Sequence, residues 1–131
     1  MKVLADTTAL VAAQRRGPAA HPVLDHVDEL WICEVVRLEF LRGALNPRHM
    51  MALRARLDDM LVVPIEAREW RRAEEIYAGL ARMRGGRHRG MPLTDVLIAA
   101  TAESYGLSVL HDDNHYELIA ELTGQPMVRL P

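Results

Sequence analysis

Cysteine is nearly absent: Cys33 stands alone in 131 residues. No internal disulfide can form, and a reducing, cytoplasmic setting is the simplest expectation. Lysine is limited to Lys2, and aromatic residues make up only 5% of the chain. No apolar stretch reaches the roughly 20 residues that span a bilayer, because charges interrupt every candidate, so no membrane segment is expected. The opening run "MKVLADTTALVAAQRRG" carries Asp6 in its short apolar part and lacks a small-residue cleavage site, which argues against a signal peptide. A net charge of −2 excludes a uniformly basic nucleic-acid binder. The six histidines are scattered and Cys33 has no partner at close spacing, which argues against zinc. There is no repeat, linker or low-complexity tract, so residues 1–131 are expected to form a single domain.

What the chain does contain is an alternation of short β-rich runs and amphipathic segments. "KVLA" (2–5) stops at Asp6-Thr7-Thr8, good helix-capping residues, and "TALVAAQRR" follows as a helix ended by Gly17-Pro18. A second helix is expected over about 20–28. "LWICEVV" (30–36) begins as a strand and passes into the helix "EVVRLEFLRGA", with Val35, Leu38 and Leu41 as its apolar stripe. Asn46-Pro47 opens another helix, with Met50, Met51, Leu53, Leu57 and Met60 at helical spacing. "LVVPI" (61–65) reads as a strand, and the next helix sets Trp70, Ala73, Ile76, Tyr77 and Leu80 along one stripe. Pro92 starts a further helix closed by Gly106; "LSVLH" (107–111) is a strand, "NHYELIAEL" a helix ended by Gly124, and "MVRL" a last strand. Strands alternating with helices imply an α/β fold with a parallel sheet covered on both faces.

The acids fall at informative places. Asp6 directly follows the first strand, and Asp112 and Asp113 directly follow the strand "LSVLH". Ligands gather at the carboxyl ends of strands in open α/β sheets. Asp95 lies in the first turn of "LTDVLIAATA" and shares a face with Ile98, Ala99 and Ala102, with no basic residue three or four positions away. Glu39 borders the apolar stripe of its own helix. Local roles remain open for each: Asp6 or Asp113 as a helix cap, Asp95 as a first-turn dipole residue, Glu39 as a partner of Arg42.

Taken together, the four acids can converge only if their strands are neighbours, and converging carboxylates repel strongly. A divalent cation is the natural remedy, and an all-carboxylate set favours a hard ion, Mg²⁺ or Mn²⁺. His111 and His115 lie near the same site, four residues apart, and rank behind the acids as ligands. The segment "RMRGGRHRG" (82–90) sets Arg82, Arg84, Arg87 and Arg89 around glycines. It reads either as a solvated loop or as a patch that tracks backbone phosphates. An acidic, cation-filled pocket beside a basic loop suits phosphodiester hydrolysis.

"VLADTTAL", "VVRLEFLRGA", "TDVLIAATA" and "VLHDDNHYELIA", in this order and spacing, resemble the PIN-domain family, specifically the VapC-type toxins of toxin–antitoxin pairs. The match runs from the first strand to the last helix. The resemblance implies a PIN-like three-layer α/β/α sandwich with a central, mainly parallel sheet. It also implies a Mg²⁺- or Mn²⁺-dependent ribonuclease, an RNA substrate, a homodimer and a cognate VapB-type antitoxin. Residue by residue, Asp6, Glu39, Asp95 and Asp113 match the family's catalytic and metal-binding acids. Thr7 stands where a Ser or Thr supports the first acid. His115 falls where many members carry a further Asp, and Asp112 is the neighbour that could substitute for it. The choice of RNA over DNA rests on the resemblance alone.

Two other classes compete. A phosphatase-like α/β hydrolase would use Asp6 as nucleophile, but it needs a second Asp two residues on, where Thr8 stands, and a well-placed lysine. A non-catalytic binding module leaves four awkwardly placed acids without a purpose. The Met-rich segment "RHMMALRARLDDM" reads as core, or, if exposed, as an antitoxin groove across helices 34–60.

Overall fold

The strand Lys2–Ala5 (β1) occupies the middle of a five-stranded, wholly parallel sheet in a computed structural model that describes residues 1–17, 19 and 21–130. The other strands are Glu29–Cys33 (β2), Leu61–Val63 (β3), Ser108–His111 (β4) and Met127–Arg129 (β5), in the order β3-β2-β1-β4-β5. β1 pairs with β2 on one side and with β4 on the other, with Leu4 level with both Trp31 and Val109. Successive connections thus run outward in opposite directions from β1, and the carboxyl ends of β1 and β4 border the crevice where such sheets hold ligands.

Six helices cover the sheet: Thr7–Arg16 (α1), Glu34–Leu41 (α2), Pro47–Asp58 (α3), Ala67–Arg82 (α4), Leu93–Ser104 (α5) and His115–Thr123 (α6). α1, α2 and α3 pack in sequence against one another, whereas α4, α5 and α6 form a second group whose α5 rests on β1 and β4. This is the α/β/α sandwich expected from the alternation of elements. Its core joins β1, the ends of β2 and β4 and nearly all of α5, where every residue from Asp95 to Ala102 is buried. Being enclosed on all sides explains why α5 has no polar face and why "VLIAATA" reads as continuously apolar.

Local chemistry sets the helix boundaries. Asp6 caps α1 by accepting the Ala9 amide at 2.9 Å, and Asn46 caps α3 by accepting the His49 amide at 2.8 Å. Gly124 ends α6 with a left-handed φ of 72°, which an L side chain rarely adopts.

The structure departs from the sequence expectations in four helical segments. The helix expected over about 20–28 is a 3-10 turn, Pro22–His26, followed at once by β2; residue 20 lies outside the described residues. With Pro22 at its start and only a few residues before the strand, the segment has no room for α-helical turns. In α2 the buried residues are Val36 and Phe40, while Leu38 is 72% exposed, because the helix is rotated from the stripe that Val35, Leu38 and Leu41 suggest. In α3, Leu53 and Leu57 are buried but Met51 is exposed. In α4 the buried line is Glu69, Ala73, Ile76 and Leu80, and Trp70 is 58% exposed. Glu69 is kept inside by a two-pronged bond from Arg68 Nε, at 3.1 Å to each carboxylate oxygen. Periodicity locates a helical stripe only to within about one residue, and tertiary packing decides which residue faces in.

Candidate active site

The carboxyl ends of β1 and β4 carry Asp6 and Asp113, and the first turn of α5, where the helix becomes buried, brings Asp95 to the same crevice. Asp6 is nearly inaccessible, at 2% exposure, and Asp95 is at 9%. Asp6 Oδ1 accepts the Ala9 amide and lies 2.7 Å from the Thr8 hydroxyl. The same Thr8 oxygen accepts the Asp112 amide at 3.0 Å, which ties the loop after β4 to the start of α1. Thr7 donates to Glu39 Oε1 at 3.2 Å and so links α1 to α2. Asp113 folds back on its own loop, accepting the His115 amide at 3.0 Å.

Among the described residues, Asp95, Asp113 and His115 each offer a ligand atom within 4.8 Å of the other two. His115 Nδ1 lies 2.9 Å from Asp113 Oδ1 and 3.2 Å from Asp95 Oδ2. Asp6 and Glu39 are near enough for their charges to act on Asp95. Asp112 turns away: its carboxylate lies 3.8 Å from Arg129 Nε. Among the described residues, Arg82, Arg84, Arg87 and Arg89 form no ion pair, and Arg82 lines a groove with Arg72, Glu75, Leu122 and Thr123 between α4 and α6.

Electrostatics show what the arrangement costs. Burial pushes the Asp6 carboxyl up from 3.8 to about 6, against the hydrogen bonds from Ala9 and Thr8 that favour its charge. Asp95 rises from 3.8 to about 6, first through burial and then through repulsion from Asp113 and Asp6, with His115 acting the other way. An assembly of acids that holds its own members partly neutral fits a divalent cation. Asp95, Asp113 and His115 supply three donors around one point, with Asp6 and Glu39 beside them.

The PIN domain family profile matches residues 3–122. The chain belongs to the PIN domain family. This PIN domain is 38% identical over 99 residues to "Ribonuclease VapC18" of Mycobacterium tuberculosis, an alignment covering 76% of this chain and 72% of the relative. It is 32% identical over 130 residues to "Ribonuclease VapC51" of the same organism, covering 96% and 90%. Among solved structures it superposes on the DNA-bound VapBC of Salmonella typhimurium with a TM-score of 0.76, at 21% identity and 98% coverage of each chain. At that identity the likeness speaks for the fold.

Two residues of this PIN domain's site carry no signal in the sequence. Tyr116, fully buried, directs its hydroxyl to Asp95 Oδ1 at 3.4 Å and also faces Asp6. Burial and the facing charges of Asp6 and Asp95 hold its phenol protonated, well above the usual range. In the sequence it reads as an ordinary apolar position of α6; only its hydroxyl distinguishes it from a core phenylalanine. Thr8 reads as no more than a helix-capping residue, and its bond to the Asp112 amide spans 104 positions of chain, beyond any local pattern.

Proposed function

We propose that this chain is a divalent-cation-dependent endoribonuclease and the toxin of a type II toxin–antitoxin pair. The observation that carries the reading is the grouping of Asp95, Asp113 and His115 at one crevice, with Asp6 and Glu39 near enough for their charges to act on Asp95. The ribonuclease names of the relatives support the choice of RNA as substrate.

Asp95 and Asp113 would hold the ion, with Asp6 and Glu39 lining the pocket; Mg²⁺ and Mn²⁺ both suit such donors. A divalent cation bound there offsets charge on the scissile phosphate and on the leaving oxygen and makes water easier to deprotonate. The chain's own residues do the rest. Thr7 and Thr8 fix Glu39 and Asp6 in place, Tyr116 orients Asp95, and the ionised carboxylates accept hydrogen bonds from an entering water. Arg82, Arg84, Arg87 and Arg89 would follow the substrate's backbone phosphates.

As a toxin of this class the chain would pair with a second copy and be silenced by a VapB-type antitoxin in the cytoplasm. Leu38 on α2, Leu45 in the loop that follows and Met51 on α3 are 72%, 85% and 71% exposed, which supports that face as the antitoxin's seat. Among the described residues, no helix is long and apolar enough to cross a membrane.

The test is to purify the chain free of antitoxin and assay structured RNA and the matching DNA with Mg²⁺ or Mn²⁺, using wild type, Asp6→Asn and Asp95→Asn. RNA cleavage that requires the ion and disappears in both variants is expected. Equal cleavage by all three proteins would overturn the assignment.

A further inference from the structure

We propose that His115 Nδ1 is an inner ligand of the ion, which makes the centre a mixed nitrogen–oxygen site that selects a first-row transition ion, with Mn²⁺ as the accessible probe, over Mg²⁺. The inference rests on the reading of the acidic crevice as a cation site and adds which class of ion it takes and which atom makes the choice.

Geometry is the first argument. Divalent ions of this size sit about 2.0–2.2 Å from oxygen and nitrogen donors, so two donors at right angles about the ion stand about 3 Å apart. Nδ1 of His115 is 2.9 Å from Asp113 Oδ1 and 3.2 Å from Asp95 Oδ2, the separations of adjacent donors in such a shell. The ring nitrogen already lies within hydrogen-bond distance of both carboxylates.

Local structure supplies the second argument. His115 is the first residue of α6, and its amide is pinned to Asp113 Oδ1 at 3.0 Å, so the backbone that carries the ring is tied to a ligand. The next residue, Tyr116, is buried and reaches Asp95 on the other side of the triangle. The His115 side chain is 40% exposed, so core packing does not hold the ring there; its polar partners are the two carboxylates.

Chemistry supplies the third. Mg²⁺ and Mn²⁺ both suit carboxylate and water oxygen, but affinity for a nitrogen donor rises along the first-row series that Mn²⁺ begins, so an imidazole ligand disfavours Mg²⁺ more than Mn²⁺. One nitrogen donor in place of an oxygen therefore moves the preference without abolishing binding of either ion.

The experiment compares wild type, His115→Asp and Asp95→Asn, each checked by circular dichroism for its fold. Mn²⁺ and Mg²⁺ are titrated separately by calorimetry, and the Mn²⁺ complexes are examined by electron spin-echo modulation for coupling to ¹⁴N. The expected result is ¹⁴N coupling in wild type that is lost in His115→Asp. The ratio of the Mg²⁺ to the Mn²⁺ dissociation constant should also fall on the order of tenfold in that variant. Mn²⁺ uptake that depends on Asp95 but shows no ¹⁴N coupling, with an unchanged ratio in His115→Asp, would overturn the inference and leave the cation site standing. Failure of wild type to take up either ion, or uptake indifferent to Asp95→Asn, would overturn both.

Discussion

The Thr8 hydroxyl accepts the backbone N–H of Asp112 at 3.0 Å while lying 2.7 Å from Asp6 Oδ1. One side chain thus joins the loop after β4 to the acid after β1, and the relative position of Asp6 and Asp113 depends on it. Thr8→Val keeps the shape and removes both bonds. It should cost about 1–3 kcal/mol in denaturant unfolding, because an amide and a carboxylate lose their partner together. Cleavage should fall more than stability alone explains. Unchanged unfolding would show that water replaces the hydroxyl without loss.

Asp95→Asn should separate function from stability. Removing the charge takes away a candidate ligand and should lower cleavage on the order of 100-fold or more. It also relieves the repulsion from Asp113 and Asp6 that, with burial, raises the Asp95 carboxyl to about 6. The ion-free variant should therefore melt a few degrees higher than wild type at about pH 7.5. A lower melting temperature would show that the carboxylate is held favourably by its surroundings.

The ion-free protein should lose stability as pH rises from about 4 to about 7. Burial raises the Asp6 carboxyl from 3.8 to about 6, so between those values the folded chain holds a proton that the unfolded chain has released. Stability is highest below that window and drops across it, by about 3 kcal/mol for Asp6 alone. Denaturant melts of wild type and Asp6→Asn across this range isolate the effect, since the variant should lack the drop. A saturating divalent cation should also remove it. A profile that climbs with pH in wild type relative to Asp6→Asn would contradict the burial argument.

Tyr116→Phe preserves the buried ring and deletes the hydroxyl that faces Asp95 and Asp6. About 1 kcal/mol of stability should disappear with it. The hydroxyl favours the charged form of Asp6, so without it the acid limb of the cleavage profile should move to higher pH. A profile that keeps its position while stability falls would reduce Tyr116 to a packing residue.

Replacing Arg82, Arg84, Arg87 and Arg89 by alanine should weaken RNA binding by catalytically silenced Asp95→Asn protein. Every arginine that neutralises a phosphate should, once replaced, flatten the dependence of log affinity on log salt by about 0.7 on single strands. An unchanged slope would return these arginines to the role of a solvated loop.

The acids show best how far the sequence reaches. Asp6 and Asp113 are legible because they directly follow short apolar strands, and Asp95 because it interrupts a run that otherwise asks for burial. The local alternative for Asp6 is also true, since the carboxylate caps α1 through the Ala9 amide while facing the crevice. A cap and a site acid occupy one position because α1 begins where β1 ends. His115 ranks behind the acids on spacing alone, and its bearing on Asp95 becomes visible only when α5 and α6 are set side by side. Trp70 and Leu38 go the other way: strong apolar signals at helical spacing that packing leaves in solvent.

The sequence by itself determined the local elements and their punctuation: β1 over Lys2–Ala5, the capped starts of α1 and α3, the enclosed α5. Those follow from side-chain periodicity, cap chemistry and backbone preference, which act over a few residues. Only the tertiary structure decided that β4 would lie against β1, and with it that Asp6, Asp95, Asp113 and His115 would share a crevice with the Tyr116 hydroxyl. Strand order is a choice among non-local pairings of comparable apolar strands, settled by the burial of the whole core, and no short window of sequence contains that sum.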